Sequence, residues 1–396
     1  MVLPTEVTLF VASILLVFIL VFQRLNIAFV IGLAMTLFSI PIFGLRIVEI
    51  VKESFDWILL NTIASLVLAM FLADLYRSTG VGYRMASSLE SLSPRIAAVS
   101  VPAVIGLLPM PAGAYVSATI IDPLYTKCSL ESHEKTFLNY WFRHVWVTVW
   151  PLYQGIILAS AIVGMSFSEI AYRNWPIFLS AVLGGLFMSR RIFQKLSNNC
   201  VGVRGSRDYR GLVHLWPFIV IAVTSLAIDI PLSLSLAITI ALFIAIYKPS
   251  LKTIAKSLRY SLDPTINILI IESMIFSKAI EKSGLANQLM QYLSSYIDIA
   301  VFSIPFLMVV ATGFEFTYVT LAFPSILPLL KDYRITIAFL GGFAGAMLSP
   351  SHACFVLSAK FFKSSLGSVY RKHLIQTTAF TILIGIAITL LIFKFA

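Results

Sequence analysis

Apolar runs separated by short polar or proline-glycine breaks fill this chain from end to end. They fall at Val7–Phe22, Ala28–Phe43 and Trp57–Tyr76, in an interrupted stretch Ile96–Tyr125, in a long run Thr136–Val163, and at Ile170–Met188. The second half repeats the order: His214–Ile228, Leu232–Tyr247, Ile266–Ile280, an interrupted stretch Ala300–Leu330, then Ile335–Phe362 and Leu374–Phe393. A helix needs about 20 apolar residues to cross about 30 Å of hydrocarbon, so these runs predict membrane spans.

The punctuation repeats as well. Arg77-Ser78-Thr79-Gly80 matches Glu281-Lys282-Ser283-Gly284, Ile121-Asp122-Pro123 matches Ile326-Leu327-Pro328, and Trp150-Pro151 matches Ser349-Pro350. Short amphipathic pieces, Ile47–Phe55 and Leu251–Leu262, precede the third span of each half. Several features in register argue for a duplication, with repeats at 1–189 and 214–396 and a basic linker at 190–213.

The interrupted stretches carry Leu108-Pro109-Met110-Pro111-Ala112-Gly113-Ala114 and Ala311-Thr312-Gly313-Phe314-Glu315-Phe316-Thr317 at their middles. Two prolines and a glycine within seven residues break a helix, which predicts a helical hairpin entering and leaving on one side; a kinked complete span is the alternative. With hairpins, each half crosses five times, so the second half is inserted upside down. The expected fold is an all-α membrane protein: an inverted repeat of two five-span halves, each with a re-entrant hairpin and a broken fourth span.

Composition agrees, since 59% of residues are hydrophobic, 12% are charged, and the mean hydropathy is +0.93. That excludes a water-soluble domain of ordinary kind. The first run follows no basic segment and precedes no small-residue cleavage site, so it reads as a retained span. A net charge of +11 invites a nucleic-acid reading, but its distribution answers otherwise. Under the five-span topology, Arg24, Arg77, Arg84, Arg95, Lys127, Lys135, the run from Arg190 to Arg210, Lys248 to Arg259 and Lys360 to Lys372 share one side. The other side has only Arg46, Lys52, Arg173, Lys278, Lys282, Lys331, Arg334 and Lys394. The positive-inside rule makes the first side cytoplasmic and puts both termini outside the cell membrane.

Four breaks mark where chemistry is expected: the two hairpin tips, Trp150-Pro151, and Ser349-Pro350-Ser351-His352. Proline favours the first helical position, so Pro151 and Pro350 are expected to start the second half-helices. Half-helices beginning at the midplane direct N–H groups and partial positive charge at one cavity, an anion site. The expected substrate residues are Pro109, Pro111, Gly113, Arg143, Pro151, Thr312, Gly313, Thr317, Ser349, Ser351 and His352. Arg143 and His144 lie inside the fourth span, where a charge costs about 2.5–3.5 kcal/mol or more unless paired or wetted. Arg143 either holds an anionic substrate or pairs with Glu272 or Glu315. Those two acids are the candidates for carrying a proton or ligating sodium, Glu315 first because it sits at a tip; a structural acid is the alternative for Glu272. His352 either titrates near neutral pH and donates to substrate, or is a hydrogen-bonded structural imidazole. The cysteines, Cys128, Cys200 and Cys354, show neither a disulfide framework nor metal-ligand spacing, and no metal or cofactor is expected.

The Leu108–Ala114 segment resembles the proline-rich signature of gluconate permeases. Thr312-Gly313 followed by Ala322-Phe323-Pro324, and Ser351-His352 after Gly341–Pro350, are also similar to features of those permeases. The chain thus resembles the ion-transporter superfamily, and within it an uncharacterised family of prokaryotic integral membrane proteins near the gluconate permeases. The resemblance implies an elevator-type carrier with two hairpins, often a homodimer, moving small organic anions with protons or sodium. The Ser-Asn-Thr tips of the dicarboxylate branch are absent, which argues against sodium-coupled dicarboxylate transport, and Glu315 matches no family role. A cation/proton exchanger using Glu315, Glu272 and His352 is the second transporter reading. An intramembrane enzyme finds no support, because His133-Glu134 lacks a second histidine at zinc-protease spacing and no GxSxG is present. Inverted repeats around broken helices also mark carriers more than channels.

Overall fold

A computed structural model of the protein describes residues 4–23, 25–90, 93–109, 113–200 and 209–395, and every regular element among them is helical. The first half contains α1 (Thr5–Phe22), α2 (Ile27–Phe43), α3 (Ile47–Ser54), α4 (Trp57–Ser78), α5 (Val81–Glu90), α6 (Pro94–Gly106), α7 (Gly113–Lys127), α8 (Ser132–His144), α9 (Gln154–Val163), α10 (Phe167–Met188) and α11 (Arg190–Asn199). The second contains α12 (Arg210–Ala227), α13 (Leu232–Tyr247), α14 (Leu251–Ser261), α15 (Pro264–Ser283), α16 (Leu285–Leu293), α17 (Ile297–Thr312), α18 (Tyr318–Leu329), α19 (Tyr333–Leu348), α20 (Ala353–Phe361) and α21 (Leu366–Phe393).

Local chemistry sets the boundaries. The side chains of Asn26, Asp56 and Asp263 accept from the N–H groups of Ala28 (3.0 Å), Leu59 (2.9 Å) and Thr265 (2.9 Å), taking first-turn donors of α2, α4 and α15 that have no partner within the helix. The apolar runs Thr136–Val163 and Ile335–Phe362 are both interrupted. In the first, turns occupy 145–153 between α8 and α9; in the second, 349–352 separate α19 from α20. Neither break follows the proline rule expected above. α9 starts at Gln154 and α20 at Ala353, so Pro151 and Pro350 lie within the unwound turns. Neither starts the next helix.

Among the described residues, seven helical runs are long and apolar enough to cross a membrane: α1, α2 with α3, α4, α12, α16 with α17, α19 with α20, and α21. The chain is a multi-pass membrane protein. Its surface fits a lipid solvent, with Leu15, Ile19, Ile246, Leu383 and Leu391 exposed while Trp141, Tyr76, Tyr125 and Tyr140 are fully buried. Where helices cross closely, small residues make room. Gly341 and Gly345 of α19 lie against the Phe302 and Phe306 carbonyls of α17, where an added Cβ would come to 2.2 Å and 2.5 Å of oxygen.

Helix pairings come in matched sets. α6 packs on α8 as α17 packs on α19; α4 packs on α13 and α14 as α15 packs on α2 and α3; α7 packs on α20 as α18 packs on α9. α10 runs along α21. Ion pairs group the charges as the sequence does. Arg77 pairs with Asp74 and stacks over Tyr260 of α14, and Lys195 bonds Glu131 (3.1 Å) and Glu134 (2.8 Å). Among charges grouped on the other side, Lys282 pairs with Glu53 and Arg334 with Asp298 (2.7 Å). The cysteine expectation needs correction: Cys128 and Cys200, 72 residues apart, are joined as a disulfide with Cα atoms 5.2 Å apart. The spacing hid the pair because it closes through folding and not through local sequence.

Candidate functional site

A helix ending inside a membrane leaves its last carbonyls without water, and each unmet group costs several kcal/mol. α6 ends at Gly106, and donors from residues 143–153 meet its last carbonyls. Arg143 Nη1 donates to the Ile105 carbonyl (3.2 Å), Tyr153 Oη to Gly106 (2.7 Å) and Trp150 Nε1 to Leu107 (3.0 Å). The approach is close enough that a Cβ on Gly106 would lie 2.3 Å from the Arg143 carbonyl oxygen. α17 ends by matching means. Gly313, at φ +75°, donates its N–H to Val309, a conformation glycine adopts without Cβ strain, and Ser349 Oγ from the second break donates to Val310 (2.9 Å).

These endings converge on one cleft of about 340 Å³. Its walls include Pro109 after α6, Arg143 and His144 at the end of α8, Tyr153 and Gln154 at the start of α9, Gly313 and Glu315 between α17 and α18, and His352 and Cys354 at the start of α20. Ile27 of α2 and Thr265, Ile266 and Leu269 of α15 close the remaining side.

At its centre, His144 Nε2 lies 3.3 Å from His352 Nε2, and Glu315 Oε1 lies 3.5 Å and 3.6 Å from those two nitrogens. His144 Nδ1 is 2.6 Å from the Tyr140 carbonyl, an acceptor only, so Nδ1 carries the proton and Nε2 of the neutral ring is a lone pair. The two histidines are buried, and Glu315 Oε1 makes no hydrogen bond. With Glu315 ionised and both rings neutral, the three facing atoms hold one proton when His352 is protonated on Nε2 and none when it is protonated on Nδ1. An added proton turns one more of these contacts into a donor–acceptor pair. Acceptor atoms facing one point in this way can hold a cation.

Arg143 is 5% exposed, its Nε has no hydrogen-bond partner, and no described carboxylate lies within 4.0 Å of it. This corrects the expectation of an ion pair with Glu315 or Glu272. The guanidinium lies on the bare Cα of Gly113, where an added Cβ would come within 2.3 Å of Nη2. A buried, unpaired guanidinium on the wall of a cleft can bind an anion.

The other expected residues divide by what they bond. Thr312 and Thr317 are buried and bond each other (2.8 Å) and the Met308 and Phe314 carbonyls, closing the turn between α17 and α18. Ser349 and Ser351 bond each other (3.0 Å), and Ser351 packs against Gly313. None of these four lines the cleft, nor does Pro151. Glu272 stands on α15 against Gly32 of α2, also outside the cleft lining, with Oε2 unpartnered. Pro111 falls outside the described residues. Cys354 and Tyr153 were missed by sequence reasoning. Cys354 is two residues past His352, and that His-x-Cys spacing was the available signal.

Comparison with curated proteins finds no match for this chain. Over residues 5–392 it matches the family described as a protein of unknown function (DUF401), and the chain belongs to that family.

Proposed function

We propose that the protein is a secondary transporter of a small organic anion, of the sugar-acid or carboxylate type, coupled to a cation. The observation that carries the reading is Arg143, a buried guanidinium without a carboxylate partner, facing a cleft where two helix turns and two broken spans meet. Binding energy at such a site comes from supplying the missing charge.

An inverted repeat supports this reading. Exchanging the halves turns each of the matched pairings described above into another that is also present, and α10 with α21 maps onto itself. In this reading α6–α7 and α17–α18 are re-entrant hairpins opening to opposite faces, and the halves rock or slide around the cleft as in an elevator carrier. The basic end is cytoplasmic and both termini are outside, by the positive-inside rule. A homodimer is the assembly that the resemblance to elevator carriers implies.

The proton is favoured over sodium as the coupling ion. Glu315 faces two imidazole nitrogens, whereas hard cations take oxygen ligands. The same triad also favours a second reading, a cation/proton exchanger. Proteoliposomes with an imposed pH gradient separate the two. Accumulation of labelled gluconate that collapses with a protonophore supports the anion carrier. No uptake across a panel of organic anions, together with sodium- or potassium-driven pH change, replaces it with the exchanger.

A further inference from the structure

We propose that His144, His352, Glu315 and Cys354 form a binding site for one divalent transition-metal ion of the zinc class. This inference does not rest on the transport reading.

Zinc holds imidazole nitrogen at about 2.0–2.1 Å and carboxylate oxygen at about 2.0–2.2 Å in a tetrahedron, which sets neighbouring ligand atoms about 3.3–3.6 Å apart. The three measured edges, 3.3 Å between the imidazole nitrogens and 3.5 and 3.6 Å to Glu315 Oε1, fall in that range. Cys354 adds a sulfur donor beside them: it and one ligand atom of each histidine all lie within 4.8 Å of one another, so the thiolate can join the set once the side chains adjust.

Donor orientation agrees. The bond from His144 Nδ1 to the Tyr140 carbonyl (2.6 Å) is the outer contact that fixes a metal-binding imidazole and directs its Nε2 lone pair inward. Burial of both rings and the absence of a hydrogen bond to Glu315 Oε1 leave the two Nε2 atoms and that oxygen facing one another. Two nitrogens, one sulfur and one oxygen select a borderline-soft ion over magnesium or calcium, which take oxygen sets.

Charge also balances. A divalent ion held by one thiolate and one carboxylate makes a neutral unit, so Arg143 keeps its single charge for an anion. Coordination needs Glu315 and Cys354 deprotonated, so metal uptake releases protons and competes with protonation of the same triad.

The test uses the full-length protein purified in detergent, stripped with a chelator and titrated with Co(II) without thiol reductant. The expected result is one equivalent bound per chain, with intense visible bands of tetrahedral cobalt, a near-ultraviolet thiolate-to-cobalt band, and stoichiometric displacement by Zn(II). Cys354→Ser should lose the thiolate band while keeping weaker visible bands, and His352→Ala should lose saturable binding. Should the histidine variant fail to insert, Cys354→Ser decides alone, since it exchanges one atom. No binding by the wild type, an octahedral spectrum, or a thiolate band that survives Cys354→Ser overturns the proposal. None of these readouts involves transport, so the site can fail while the carrier reading stands, and the reverse.

Discussion

His144 and His352 are 208 residues apart in sequence, yet their Nε2 atoms stand 3.3 Å from each other. One is the last residue of α8 and the other caps the start of α20. The two broken spans therefore cross at their breaks, which is where unmet backbone groups and buried charges can share a ligand. Glu315 and Arg143 join them from the α17–α18 turn and the neighbouring position on α8.

Arg143→Ala should abolish concentrative uptake without loss of membrane insertion, because nothing else among the lining residues of the cleft carries a fixed positive charge. A hydrogen bond to a charged group is worth about 1.5–3 kcal/mol, so anion affinity should fall by roughly 10–100-fold. Arg143→Lys keeps the charge but loses the fork, and should retain part of the activity. Uptake kinetics of the two variants beside wild type provide the measurement. Wild-type uptake in Arg143→Ala would make the guanidinium a structural donor to Ile105 alone.

Two glycines next to Arg143 allow backbone packing and side-chain placement to be separated. In Gly106→Ala the new Cβ meets a backbone carbonyl at 2.3 Å, which can yield only by moving α6 against α8. Overpacking of this kind costs about 1–3 kcal/mol, seen as a lower Tm in detergent. In Gly113→Ala the Cβ meets the guanidinium, which can swing aside. That variant should hold its Tm and lose uptake. Equal Tm losses would mean that Arg143 is as fixed as the backbone.

The order of helices and both helix breaks were legible because proline, glycine and apolar run length act locally. The site was legible only in part. Arg143, Glu315 and His352 announce themselves as polar residues in apolar runs. Nothing local reveals that Glu315 faces histidines instead of Arg143, because the partner is chosen by how α17, α8 and α20 cross. Thr312, Thr317, Ser349 and Ser351 looked like ligands for the same reason that they cap turns: short hydroxyls satisfy backbone groups wherever a helix stops. Cys128 and Cys200 illustrate the limit most simply, since a 72-residue separation carries no spacing signal.

At the basic end, Lys195 of α11 joins both carboxylates that open α8. Its hydrogen bond and charge, with the His133 charge, hold the Glu131 carboxyl below its ordinary 4.5, while the bond to Glu134, ahead of that to Glu131, holds the Lys195 amine above its ordinary 10.5. A depressed carboxyl contributes stability above its ordinary value that is lost as pH falls through the lowered one. A raised amine contributes stability below its ordinary value that is lost as pH rises through the raised one. The Tm difference between wild type and Lys195→Ala should thus be flat from about pH 5 to 10 and shrink in acid. A difference that grows in acid would assign the clasp to other groups. Much of it is solvent-exposed, so the effect should be small and weaken with salt.

Sidedness has a direct test. Lys252 and Glu281 are both exposed, one on α14 and the other near the end of α15. In a background lacking the native cysteines, Lys252→Cys should react with an impermeant maleimide only from the cytoplasmic face and Glu281→Cys only from the outside. Labelling of both from one face would remove the inverted topology and with it the opposed hairpins.

Glu315 is the residue on which coupling should turn. Its Oε1 lies 3.5 Å from His144 Nε2 and 3.6 Å from His352 Nε2, has no hydrogen bond, and sits in the turn between α17 and α18. His144 has already committed its Nδ1 proton to Tyr140, so the triad gains a well-paired arrangement only when a proton arrives. Glu315→Gln supplies a permanent amide donor where the protonated acid would supply a hydroxyl, and so fixes the loaded state. Exchange of internal for external substrate, which needs no net proton movement, should survive, while accumulation driven by a pH gradient should be lost. A sodium-ligand role would instead show as a higher sodium concentration for half-maximal uptake. Because no contact within 4.0 Å joins Glu315 to Arg143, the charge-swapped double variant Arg143→Glu with Glu315→Arg should not recover function, and recovery would overturn the geometry described here. Accumulation, ion dependence and exchange all matching wild type in Glu315→Gln would remove Glu315 from the mechanism. Glu272, the other intramembrane acid with an unpartnered oxygen, would then be the residue to substitute.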